Sequence, residues 1–300
     1  MKATTIQQFF KRFSSDEVCL EHLFNVRFKK NHQCSKCLNN SKWYRIKSEL
    51  AFSCGNCGHH VHPCVGTIFE DSSTSLQLWF YAIYLFTTTR SGVSAKELQR
   101  QLGVTYKTAW RMGHKIREYM AVVDGDDKLE GFVEIDETYV GGKPRKEAKK
   151  DKDDNDKGNP RGRGTKKECV VGMIERNGKV KASNVNKGSL KAKDLKELVR
   201  AGVDLGNTTL ITDEYRAYNL MKYLLTHLKI NHSKEYANGS IHTNTIESFW
   251  ALLKRGVIGQ FHKVSAKYLQ KYIDEFCWRF NERENENAFD KLVGNMLQFS

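Results

Sequence analysis

The sequence predicts a chain of three parts: a cysteine-bound ribbon, a helical helix-turn-helix module, and an α/β core whose mixed sheet is flanked by helices. Three observations predict it. Two Cys-x2-Cys pairs stand 16 residues apart near the N-terminus, apolar residues recur at helical intervals between Ser75 and Met120, and short β-rich runs alternate with helical ones beyond Asp127. At 300 residues the chain can bury one large core and still carry small modules. The boundaries fall at residues 1–70, 71–126 and 127–300.

The first part opens with a helical lead-in and continues into Cys34-Ser35-Lys36-Cys37 and Cys54-Gly55-Asn56-Cys57. Each pair offers two thiolates on a short knuckle, and a hairpin between the pairs closes a tetrahedral site of the kind zinc prefers. Lys42-Trp43-Tyr44-Arg45-Ile46 and Leu50-Ala51-Phe52-Ser53 have the aromatic and β-branched character of the hairpin strands. So short a segment has too little apolar surface to fold alone. Zn2+ held by Cys34, Cys37, Cys54 and Cys57 is therefore expected to supply much of its stability. Four thiolates leave no open coordination position, which makes the role structural. His59, His60, His62 and Cys64 read as surface and strand residues beyond a filled site. Cys19, Cys169 and Cys277 have no partner at metal spacing and read as buried thiols.

In the second part Leu76–Phe86 is the most apolar run, far shorter than the roughly 20 residues that span a bilayer, and it reads as a buried helix. Leu98 and Leu102, then Ala109, Met112 and Ile116, keep helical spacing. Ser94-Ala95-Lys96-Glu97 has the form of a capping box, Gly103 can end that helix in a left-handed turn, and Thr105 suits the N-cap of the next. On the second helix Lys107, Arg111 and Lys115 fall at intervals of four, with Tyr106 at its start. This cationic face is what a recognition helix needs to enter a DNA major groove.

In the third part Phe132–Val140 alternates apolar and polar residues like a strand with one buried face, with Asp136 near its middle and Gly141-Gly142 ending it. Glu134 and Glu137 are lesser rivals of Asp136: Glu134 shares its face, and Glu137 points away. Cys169–Ile174 and Val180–Val185 read as strands joined by a turn at Asn177-Gly178. A helix over 192–201 and a strand Thr208–Asp213, which also finishes on an acid, complete the β, β, β, α, β series. Thr245–Lys254 is expected to be helical, with Phe249, Leu252 and Leu253 facing inward and Glu247 and Lys254 on one face. Tyr268, Leu269, Tyr272, Ile273 and Phe276 mark an amphipathic helix that should pack on the sheet. Between these elements, 143–167 reads as a mobile loop with 11 basic and 5 acidic residues.

The whole chain carries 49 Lys and Arg against 35 Asp and Glu, a formal charge of +14, which favours a polyanionic partner. The N-terminal residues lack the apolar core of a signal peptide, so no export and no membrane association are expected. Eight cysteines in such a chain suit metal binding in a reducing compartment, and the expected location is cytoplasmic, with the nucleoid.

Ile135-Asp136-Glu137-Thr138-Tyr139-Val140-Gly141-Gly142, Thr212-Asp213, and His242-Thr243-Asn244-Thr245-Ile246-Glu247-Ser248-Phe249-Trp250 resemble the three acidic blocks of the DDE transposases. The group resembled is the insertion-sequence transposases with an N-terminal zinc ribbon, relatives of the Merlin transposons. The likeness extends to the ribbon and to Thr105–Met112. It implies a ribonuclease H-like core whose acids, Asp136, Asp213 and Glu247, hold two Mg2+ or Mn2+ ions that serve strand cleavage and joining of the 3′ end to target DNA. It also implies that Lys254 grips phosphate near the cut. Double-stranded DNA, as the terminal inverted repeats of the element and as target, is the implied partner, and pairing two ends implies a homodimer or larger.

The chemistry accounts for the residue types. Phosphodiester transfer needs one hard cation to sharpen the attacking oxygen and another to stabilise the leaving one, and such cations prefer carboxylates. Between Asp213 and Glu247 lie 33 residues, close to the superfamily's spacing. Asn244 is the rival third ligand, because members of the group can carry Asn there. Both start one helix, three residues apart, so spacing does not separate them. Charge favours Glu247 and leaves Asn244 as a cap or an orienting donor. Two rival functions remain at this level: a catalytically inactive DNA-binding regulator, and a nuclease or resolvase that cuts without joining.

Overall fold

The structure is a computed structural model that describes residues 5–29, 32–123, 127–141, 165, 167–185, 190–230 and 242–297. They form two compact units, Met1–Val123 joined by the stretch from Glu284, and Asp124–Arg283.

In the first unit the lead-in is a pair of helices, α1 (Ile6–Arg12) and α2 (Asp16–Phe28). Thr5 starts α1 with a full capping box to Gln8, and Ser15 caps α2. The ribbon is a three-stranded antiparallel sheet of β1 (Trp43–Ile46), β2 (Ala51–Cys54) and β3 (His60–Val61). Phe52 of β2 packs on Phe24 of α2 with ring centroids 4.3 Å apart, which roots the ribbon on the lead-in. Then follow α3 (Leu76–Thr88), α4 (Ala95–Leu102) and α5 (Tyr106–Val123). The apolar run of α3 is buried almost all round, as expected of a core helix.

The second unit holds β4 (Leu129–Val140), β5 (Glu168–Glu175), β6 (Val180–Val185), α6 (Ala192–Gly202), β7 (Val203–Thr212), a 3-10 segment Arg216–Tyr223, β8 (Thr226–Lys229), α7 (Asn244–Gly256) and α8 (Leu269–Asn281). The sheet order is β6-β5-β4-β7-β8. β4, β5 and β6 are antiparallel neighbours, while β7 and β8 continue parallel to β4. This is a ribonuclease H-like mixed sheet. Side-chain alternation builds a core on each face: Val170 and Ile174 of β5 meet α7 and α8, while Val171 and Met173 meet α6 and the 3-10 segment. Near-continuous apolar runs in β5 follow from burial on both sides.

Three differences from the sequence reading have physical causes. β7 starts at Val203, five residues earlier than the β-rich run suggests, because its first half pairs with β4 across a register shift near Gly131. β8 has only four residues of mixed character, too short for a period to register in the sequence. The final helix α9 (Ala288–Asn295) belongs to the first unit, although the sequence reading carried the core through residue 300. Ala288, Leu292, Val293 and Met296 are buried, and α9 packs on α3 and α5. The chain thus returns to its N-terminal unit after completing the sheet. Among the described residues no helix is long and apolar enough to cross a membrane.

Candidate active site

In the ribbon the four Sγ atoms of Cys34, Cys37, Cys54 and Cys57 lie within 4.8 Å of one another. Cys34 and Cys57 are 3.6 Å apart and Cys37 and Cys54 are 3.8 Å apart. A tetrahedron with zinc–sulfur bonds of about 2.3 Å has edges of about 3.8 Å, so the thiols fit zinc. Ser41 Oγ, 2.8 Å from Cys54 Sγ, draws that thiol down to about 6, toward the thiolate a metal requires. His59 contacts Ser35 instead, His60 lies in β3, and Cys64 is buried outside the cluster. Cys19, Cys169 and Cys277 are buried and lie outside the cluster. Replacing Cys54 by Ser is expected to cost the protein about one zinc per chain and to unfold the ribbon. Metal analysis and exchange of the amide protons of β1 and β2 check this, and full zinc retention would refute it.

The helix-turn-helix closes as its end signals dictate. Gly103, at φ 66°, ends α4 in the left-handed region, and Thr105 Oγ1 accepts from the Thr108 amide at 3.2 Å to start α5. The capping box of α4 is only half made. Ser94 accepts from the Glu97 amide, but the Glu97 carboxylate turns outward to Gln101 and Arg100. On α5, Ala109, Met112 and Ile116 are buried, and Tyr106, Lys107 and Arg111 are exposed, with Lys115 half-buried on the same side. Lys96 of α4 sits 5.1 Å from the centre of the Tyr106 ring.

Two of the three acids lie at the sheet. β4 and β7 run parallel, with Glu134 level with Ile211. Two residues further along β4 stands Asp136, on the face that α7 covers, and Asp213 follows directly after the last residue of β7, near enough to Asp136 to act on it as a like charge. Asp136 is half-buried, and burial, with Glu137 and Asp213 as like charges, raises its carboxyl to about 7. The Tyr215 amide donates to Asp213 Oδ1 at 2.9 Å, turning the chain as it leaves β7. Glu247 lies in the first turn of α7 and is exposed, 3.4 Å from the Thr243 hydroxyl. Asn244 is the first residue of α7, also exposed, and Lys254 lies exposed further along the same helix. Three carboxylates of this kind suit hard divalent cations in donor chemistry. They do not form a cluster of three: among the described residues the four cysteines are the only group of three or more such side chains whose ligand atoms lie within 4.8 Å of one another. The basic segment 143–167 lies, apart from Thr165 and Lys167, outside the described residues.

A model of the ISXO2-like transposase domain matches residues 128–281, just over half of the chain, and a transposase zinc-ribbon model matches residues 14–60. The chain belongs to the ISXO2-like transposase family. A protein in transposable element ISH50 of Halobacterium salinarum is 29% identical over 280 residues, spanning 90% of this chain and 92% of its own. A transposase-like protein of Haemophilus influenzae is 29% identical over 87 residues, 29% of this chain and 70% of its own. Among solved structures, a pre-cleavage Mos1 transpososome aligns at TM-score 0.30 with 13% identity, over 74% of this chain and 79% of that one.

Two side chains of this transposase matter more than the sequence reading allowed. Glu134, there a lesser rival of Asp136, is fully buried and caps α7 from outside the helix. Its Oε2 accepts the Thr245 and Ile246 amides at 2.9 and 3.0 Å, and its Oε1 accepts the Thr245 hydroxyl at 2.9 Å and Arg176 Nε at 2.8 Å. The expected cap, Asn244, is thus displaced by a carboxylate, which the positive end of the helix favours. Glu137 points to the opposite face, where its Oε2 accepts from the Tyr218 hydroxyl at 3.1 Å. The second is Trp250, whose Nε1 donates to Asp136 Oδ2 at 3.0 Å. No local pattern signals either contact, because each partner lies more than a hundred residues away in the chain.

Proposed function

We propose that the protein binds the ends of its own insertion sequence through α5 and carries out strand cleavage and 3′-end joining at Asp136, Asp213 and Glu247. The observation that supports this reading is the proximity of Asp136, on β4 under α7, to Asp213 at the end of the adjacent parallel strand β7, with Glu247 in the first turn of α7. Mg2+ or Mn2+ bound there would supply charge to activate the attacking oxygen and to stabilise the leaving one. The protein's own share is orientation. β4 carries Asp136 and the end of β7 carries Asp213, and Glu134 and Trp250 tie α7, and with it Glu247, onto β4. Lys254, seven residues beyond Glu247, extends from the exposed side of α7 toward solvent, where a phosphate can meet it. In the ribbon, Cys34, Cys37, Cys54 and Cys57 hold structural Zn2+. The exposed Tyr106, Lys107 and Arg111, with Lys115, form the groove-reading face, and pairing of two DNA ends calls for at least a dimer.

The decisive experiment incubates the purified chain with duplex DNA of its element's ends and with Mg2+. Cleavage with joined products is the expected result. Binding without cleavage would support an inactive regulator, and cleavage without joining a nuclease or resolvase. In gel shifts at fixed salt, Arg111→Ala is expected to weaken end binding about 10-fold or more, the scale of one lost base or phosphate contact. An excised core, residues 127–283, should bind DNA without preference for the ends. Equal end-specific affinity in that core would remove α5 from the reading.

A further inference from the structure

We infer that Trp250 is the positioning residue of Asp136: its indole N–H holds one carboxylate oxygen so that the other is presented to the metal site. The inference rests on the proposed role of Asp136 and adds to it a residue outside the acidic triad.

The geometry has three parts. The indole nitrogen is 3.0 Å from Asp136 Oδ2, and Trp250 is only 4% exposed, so the donor side of the hydrogen bond is shielded from water. The ring reaches that position because β5 carries Gly172 directly opposite Asp136. A Cβ at Gly172 would lie 2.5 Å from Trp250 Cη2, 2.7 Å from its Cζ2 and 3.1 Å from Ile246 Cδ1, so any side chain there would evict the indole. Finally, Trp250 and Glu247 are three residues apart on α7, whose first turn is tied to Glu134, two residues before Asp136 on β4. Two contacts therefore fasten one helix to one strand on either side of Glu247. An apolar residue of similar bulk could fill the space beside Gly172, but only a donor can fix the rotamer of a half-buried carboxylate. Groups that orient a metal ligand in this way typically govern affinity by about 10–100-fold.

The test is Mn2+ binding to the full-length, zinc-loaded chain by calorimetry, comparing the parent with Trp250→Phe and Asp213→Asn. Trp250→Phe keeps a ring against Gly172 and removes the donor. It is expected to bind DNA ends as the parent does, to weaken the Mn2+ site about 10–100-fold, and to regain much of its cleavage rate at high Mg2+. Parent-like Mn2+ affinity in Trp250→Phe, with the site lost in Asp213→Asn, would overturn the inference and leave the proposed function standing. Parent-like affinity in Asp213→Asn would overturn the metal-site reading itself. Should Trp250→Phe not fold, the parent still decides. It has five tryptophans, and the indole N–H resonance that shifts in Asp136→Asn is expected to move as Mg2+ is added. Five unmoved indole resonances would overturn the inference.

Discussion

Asp213→Asn and Glu247→Gln proteins are expected to bind element ends as the parent does and to cut them about 1000-fold more slowly or worse, whereas Asn244→Ala is expected only to be slowed. A thousandfold loss corresponds to about 4 kcal/mol of transition-state stabilisation, the scale on which a preorganised charge at a phosphoryl centre acts. Asp213 stands just past the end of β7, near enough to Asp136 to act on it as a like charge, so converting it to an amide removes one of the two carboxylates this end of the sheet can offer a cation. Glu247 and Asn244 both stand exposed in the first turn of α7, and position alone does not rank them. Charge does, since two divalent cations bring four positive charges and an amide neutralises none. Asn244 has no capping duty whose loss would unfold the helix, because the amides of Thr245 and Ile246 are taken by Glu134. Its replacement therefore reads out chemistry rather than stability. Strand cleavage in Mg2+, measured on proteins first matched in unfolding temperature and end affinity, checks the ranking. If Asn244→Ala is dead and Glu247→Gln cuts at near the parent rate, the third group is the asparagine.

What could be read from sequence and what could not divide along a physical line. The ribbon, the turn at Gly103 and the cationic face of α5 were legible because each is written in near neighbours: ligand spacing, a left-handed stop, an interval of four. Asp136 was legible as one residue of a half-buried strand, and alternation correctly placed Glu134 on its face and Glu137 on the other. Alternation is silent about what arrives on that face. Glu134 was taken as a rival ligand because the helix start that consumes its oxygens comes from Thr245 and Ile246. Nothing in the apolar run around Gly172 signals that it admits an indole, since that indole belongs to Trp250. The amphipathic helix at Leu269–Phe276 did pack on the sheet as its stripe implied. The equally apolar stripe of α9 chose α3 and α5, and the stripe itself names no partner.

The largest loss of stability is expected from Glu134→Ala, about 3–5 kcal/mol, the range seen when one member of a buried ion pair is removed. Glu134 is fully buried, and its carboxylate does two jobs at once. It neutralises Arg176, whose guanidinium also donates to the His242 carbonyl at 2.8 Å and lies 5.7 Å from the centre of the Phe132 ring. It also accepts the first amides of α7, donors that no residue within the helix can satisfy. Alanine would leave a cation facing an empty space and two N–H groups unpaired, the buried one of Ile246 and the part-buried one of Thr245, each a cost that burial magnifies. Arg176→Ala should be damaging too, but less so, because the helix would keep its cap. The double variant should then be less destabilised than the sum of the two single ones, since removing both partners leaves no orphaned charge. Urea unfolding of the four full-length proteins tests this, with the midpoint read at constant slope. A Glu134→Ala protein within about 1 kcal/mol of the parent, or strict additivity in the cycle, would mean that α7 is held by its apolar face alone. The contacts of Phe249, Trp250 and Leu253 would then suffice to seat Glu247 over β4.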